Sequence, residues 1–142
     1  MNKVLGIIFL TFFSTALSSN VFAGGGSEMA PAKHHEFQLN TITMMETETL
    51  VGKKGVYFFD VNTLELWAEG YIPGAIYFNV RDWKKLLPKN KDAEMIFYCA
   101  NRLCNASEIA ARAVMKLGYT GVRQMPDGIY GWRLSNRQTE RP

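Results

Sequence analysis

Residues 97–107 read FYCANRLCNAS and hold both cysteines of the chain, Cys99 and Cys104. Such a pair can be a structural staple, a metal clip, a redox couple, or one nucleophile with a companion. Zinc is set aside, because two thiolates with four residues between them and no nearby histidine make an incomplete ligand set. A disulfide stays open, since a curved loop can bring two Cα atoms within the roughly 4.4–6.8 Å that bridging requires. The nucleophile reading rests on position. Ile96, Phe97 and Tyr98 read as strand, and a helix begins near Ser107. A loop entering a helix offers backbone N–H groups that lack intrahelical partners, and the helix dipole adds positive potential. Both favour an anion, so the Cys99 thiol is expected to ionise readily and act as a nucleophile.

The flanking elements must supply that strand-to-helix turn. VYFFDV (residues 56–61) and EMIFYC (94–99) are short, continuous apolar runs of the kind found in strands buried on both faces. Residues 64–69 predict a short helix, 76–79 a short strand, and 82–87 a helix stopped by Pro88. In residues 107–118, Ile109, Ala110, Ala113, Val114 and Leu117 recur at helical spacing, with Gly118 as a C-terminal cap. A further strand lies within 119–125. Residues 37–50 mix Thr, Met and Glu, with Ile42, Met45 and Leu50 on one helical face. Met44 and Met45 read as core filler, and Glu46 and Glu48 as surface. Trp67, Trp83 and Trp132 read as core or rim packing. Alternating strands and helices without hairpin signals indicate a three-layer α/β domain with a mainly parallel sheet, whose ligands bind beyond the carboxyl ends of the strands. Asp60 stands at such an end, as a support for the active loop or as a strand-end cap.

The first 23 residues have the pattern of a secretory signal. Lys3 precedes the apolar run VLGIIFLTFFSTAL, and Val21-Phe22-Ala23 offers a cleavage site. That run is about 14 residues, against the roughly 20 that a spanning helix needs. No cysteine follows it, which argues against a lipid anchor. Residues 24–36 read as a flexible leader in which His34 and His35 are solvated rather than metal ligands, and 37–142 form one domain. Loss of Lys3 takes the formal charge from +3 to +2, too small to imply nucleic acid. The expected protein is periplasmic or secreted, with no membrane attachment after cleavage near Ala23.

DVNTLELWAEGYIPGAIYFN (residues 60–79) resembles the first signature of rhodanese-like domains. FYCANRLCNAS occupies the place of that family's active-site loop, and PDGIYGW (126–132) resembles its closing signature. The resemblance implies a five-stranded, mainly parallel sheet flanked by helices, and sulfur transfer through a persulfide on Cys99. The loop N–H groups of Ala100, Asn101, Arg102, Leu103 and Asn105 would bind substrate, with Ser107 supporting the loop. The implied partners are a small sulfur-donor anion and a thiol acceptor, with an exported partner protein as a further candidate; no metal or cofactor is implied. Where the family commonly carries glycine and arginine, this loop has Arg102 and Cys104, and Tyr71 replaces a frequent histidine. Phosphatases of this fold need an arginine where Asn105 stands, which disfavours phosphate chemistry. A second likeness is to exported rhodanese-like proteins that carry a second loop cysteine and are linked to pyrroloquinoline-quinone-dependent oxidation. Cys104 then resolves the persulfide or protects the thiol. Two alternatives stand beside the sulfurtransferase: a thiol–disulfide redox protein working through Cys99 and Cys104, and an inactive rhodanese-like binding module.

Overall fold

A computed structural model describes residues 38–142. The expected signal segment and the whole leader, including His34 and His35, lie outside the described residues. Five strands, β1 (Asn40–Thr41), β2 (Val56–Asp60), β3 (Ile76–Tyr77), β4 (Glu94–Tyr98) and β5 (Val122–Gln124), form one sheet in the order β1-β5-β4-β2-β3. Every pairing is parallel. Four helices are α1 (Met44–Leu50), α2 (Leu64–Glu69), α3 (Ala106–Met115) and α4 (Gly128–Leu134); Trp83–Leu86 is a single 3-10 turn. This is the five-stranded parallel α/β architecture that the strand–helix alternation indicates.

The central strands β2 and β4 are mostly apolar because both faces of the sheet are covered there. Phe59, Met95, Phe97 and Val122 pack with Ala111, Val114 and Met115 of α3 on one side. Phe58, Ile96 and Tyr98 pack with Ile129 and Trp132 of α4 on the other. Adjacent residues of a strand point to opposite faces, so β4 feeds both cores and sits at the centre of the sheet. The chain leaves β4 at Cys99, which is only 2% exposed.

Two details depart from the sequence pattern. The expected helical face of Ile42, Met45 and Leu50 does not form. Ile42 precedes the helix, donating its N–H to the Gln124 carbonyl at 2.8 Å, and Met45 is 72% exposed. Thr43 caps α1 instead, in a reciprocal capping box with Glu46, and Thr47 is its buried residue. In α3 the buried residues are Ser107, Ala111, Val114 and Met115. Ile109 stays exposed because it lines an apolar groove of about 310 Å³ with Val61, Phe78, Val80 and Trp83.

Candidate active site

The path of the loop after β4 is set by Asn101. Its Oδ1 accepts the Leu103 N–H at 2.9 Å, and its carbonyl accepts the Cys104 N–H at 3.0 Å. Asparagine forms such local turns readily because its side chain imitates a backbone acceptor. Arg102 and Leu103 are therefore the corners of the turn, and Leu103 projects into solvent at 95% exposure. Arg102 occupies the usual glycine position without a left-handed backbone; among the described residues, Asn136 is the one non-glycine with positive φ.

This turn folds Cys104 back over Cys99. Their Cα atoms are 6.3 Å apart and the two sulfurs are paired as a disulfide. Cys99 is buried, whereas Cys104 is half-buried. Sγ of Cys99 lies 3.1 Å from the Cys104 carbonyl oxygen and 3.3 Å from Oγ of Ser107. Ser107 is the second residue of α3, so the sulfur sits beside the first turn of that helix, where positive potential is greatest. Of the loop N–H groups expected to bind substrate, that of Leu103 is taken by the Asn101 side chain in this paired form, and the Cys104 N–H is taken by the Asn101 carbonyl.

The loop is also held from α4. The Ile129 N–H donates to the Cys99 carbonyl at 2.8 Å, and the Tyr130 N–H to the Ala100 carbonyl at 3.0 Å. Gly128 permits this approach: its φ is +64°, and a Cβ there would lie 2.5 Å from the carbonyl oxygens of Cys99 and Ala100. At the rim, the Arg102 guanidinium binds Asp127, with Nη2 at 2.6 Å and Nε at 2.8 Å from one carboxylate oxygen. Asn105 is the residue before α3 and makes no side-chain capping bond.

Asp60 is fully buried at the end of β2, where its Oδ1 accepts the Asn62 N–H at 2.8 Å. Burial pushes its carboxyl above the ordinary 3.8, partly offset by the Asn62 N–H and the nearby Tyr98 hydroxyl. Burial also pushes the Tyr98 phenol well up, and the Asp60 charge adds to it. Tyr98 in turn accepts the Ile72 N–H at 3.2 Å, tying the residue before Cys99 to the Pro-Gly turn.

Sequence reasoning brought Cys99, Cys104 and Ser107 together but missed Gln124. Its Nε2 donates to Ser107 Oγ at 3.0 Å, a contact across 17 residues that no local pattern announces. Val122 and Gln124 share a strand face by the two-residue period. A polar residue following a buried valine on that face was the available signal.

The sequence matches the Rhodanese-like domain family over residues 43–135. It is 28% identical over 109 residues to the human thiosulfate:glutathione sulfurtransferase, covering 65% of this chain and 91% of that protein. The structure resembles the BH2092 protein of Bacillus halodurans with a TM-score of 0.63 and 26% identity, covering 72% of this chain and 77% of the other. It also superposes on a thiosulfate sulfurtransferase from Pseudomonas aeruginosa with a TM-score of 0.60 and 23% identity, over 72% of this chain and 19% of that one. The latter likeness is one of fold. With three signatures in order, a five-stranded parallel sheet and a cysteine at the strand-to-helix turn, the chain belongs to the rhodanese-like domain family.

Proposed function

We propose that the protein is an exported sulfurtransferase moving sulfane sulfur from thiosulfate or a persulfide to a thiol or cyanide through a Cys99 persulfide. The observation that carries this reading is the seat of Cys99 Sγ beside the first turn of α3, 3.3 Å from the Ser107 hydroxyl, in a chain of this family. The kinship with a thiosulfate:glutathione sulfurtransferase supports a donor anion and a thiol acceptor. Export rests on the signal pattern of residues 1–23, and the second loop cysteine supports the exported subgroup.

In the reduced protein, the Cys99 thiolate attacks the outer sulfur of thiosulfate. The sulfur–sulfur bond of the donor breaks, and sulfite leaves with its electron pair. An acceptor thiolate then attacks the outer sulfur of the Cys99 persulfide, returning the bonding pair to Cys99. Neutral sulfur moves in both steps, so the protein is neither oxidised nor reduced over the cycle. The Ser107 hydroxyl and the α3 N-terminus stabilise the sulfur anion before and after transfer.

In the paired form Cys99 has no thiolate to offer. Two thiols, or one dithiol, must first reduce the bridge and are themselves oxidised to a disulfide. The half-buried Cys104 is the sulfur that an entering thiolate meets, so the buried Cys99 leaves as thiolate beside Ser107. Cys104 then acts as a reversible guard of the nucleophile.

The same pairing favours a second reading, in which exchange of the Cys99–Cys104 disulfide is itself the activity. The reduction potential separates the two roles of the bridge, since a value far below about −300 mV marks a structural link. The activity test is thiocyanate formation from thiosulfate and cyanide by the reduced domain. Wild type and Cys104→Ser are expected to turn over and Cys99→Ser to fail. Loss in all three proteins favours the redox or binding-module readings.

A further inference from the structure

The Ser107 hydroxyl has two side-chain partners among the described residues, Cys99 Sγ at 3.3 Å and Gln124 Nε2 at 3.0 Å. A carboxamide NH₂ only donates, so Ser107 Oγ accepts from Gln124. The single hydroxyl hydrogen is then left for the sulfur. A thiolate or persulfide anion accepts and cannot donate, so the two contacts form one directed chain ending at Cys99.

The chain is held in place from several sides. Ser107 is 1% exposed, which keeps water from competing for its hydrogen. Gln124 stands in β5 opposite Phe97 of β4 and Thr41 of β1. Its carbonyl accepts the Ile42 N–H at 2.8 Å, and the next residue, Met125, donates its N–H to the Phe97 carbonyl at 2.9 Å. The amide is thus fixed on a strand clamped on both sides, two residues in register from the sulfur-bearing position.

We propose that Gln124 is a positioning residue, which orients the Ser107 hydroxyl as a hydrogen-bond donor to Cys99 Sγ in its thiolate and persulfide forms. This rests on Cys99 being the reactive sulfur, as argued above. A residue acting this way alters the acidity of Cys99 only through Ser107. An isosteric carboxylate at 124 would reverse the direction of the chain, because it accepts from the hydroxyl and draws its hydrogen away from sulfur.

The test titrates the Cys99 thiolate by its ultraviolet absorbance against pH in Cys104→Ser protein, where Cys99 is the one remaining thiol. The charged groups on the surrounding elements are Asp60, Glu94, Arg102, Glu108, Arg112, Arg123, Asp127 and Arg133. All stay in place across the variants. Gln124→Met is expected to raise the apparent pKa by about one unit, a tenfold loss of thiolate at a fixed pH below it. Gln124→Glu is expected to raise it further. In Ser107→Ala protein, Gln124→Met is expected to add less than about a third of its original shift, the mark of two residues acting as a unit. An unchanged pKa in Gln124→Met, or the same shift with and without Ser107, overturns the proposal. Circular dichroism at each pH checks folding. If Gln124→Met does not fold, Gln124→Glu decides by its shift with and without Ser107→Ala. The part due to its charge alone persists without Ser107, so an equal shift in both overturns the proposal. No sulfur donor is used, so absent persulfide formation with an intact Gln124 effect defeats the sulfurtransferase reading alone.

Discussion

Gly128 lies so close to Ala100 that a Cβ on it would stand 2.5 Å from the Ala100 carbonyl carbon and oxygen. The contact joins the closing signature to the cysteine loop, and it lets the first N–H groups of α4 reach the carbonyls of Cys99 and Ala100. The backbone groups at the start of the loop are therefore satisfied by α4, which fixes the point from which Cys99 projects.

Gly128→Ala is expected to destabilise the domain by at least about 2 kcal/mol, since a left-handed backbone and a backbone collision both act against it. Urea denaturation of the reduced protein measures this. A midpoint within error of wild type would show that the loop and α4 separate without cost.

Asp60 gives a pH signature. Its folded pKa is raised, chiefly by burial, so the native state holds its proton more tightly than the unfolded chain. Its favourable contribution is complete below the ordinary 3.8 and is lost as pH rises through the folded pKa. Asp60→Asn removes the cost of burying the charge, so its stability relative to wild type is expected to improve between acid and neutral pH. Denaturation midpoints across that range test the sign.

The Arg102–Asp127 pair sits at the rim, with the arginine side chain 71% exposed. Its loss is expected to change stability by less than about 1 kcal/mol. Arg102→Ala should instead raise the thiosulfate KM, while Asp127→Asn, which frees the guanidinium for the donor dianion, should lower it. Steady-state kinetics at two salt concentrations resolves the electrostatic part, which screening weakens.

Much of this architecture is legible in local pattern. The runs at 56–61 and 94–99 are apolar on both faces, and they became the strands β2 and β4 at the centre of the sheet. Strand β1 was not legible, because its two residues, Asn40 and Thr41, are polar and exposed and are held only by pairing with β5. The rotation of α3 was hidden for a related reason. Helical spacing identifies an apolar stripe but not which side meets the sheet, and Ile109 serves the groove while Ser107 turns inward. At the site, strand followed by helix was enough to place Cys99. The turn around Asn101 was readable from its residue type. Gln124 was not readable, because its contact with Ser107 depends on the parallel register of β4 and β5. Asp60, read as loop support or cap, accepts the Asn62 N–H at the end of β2.

The mass of the reduced, desalted protein after treatment with thiosulfate tests the Cys99 persulfide most directly. Wild type and Cys104→Ser are expected to gain one sulfur atom, mapped to Cys99 and removed by cyanide, while Cys99→Ser gains none. A wild-type protein that stays fully reduced and folded yet takes up no sulfur would contradict the central claim.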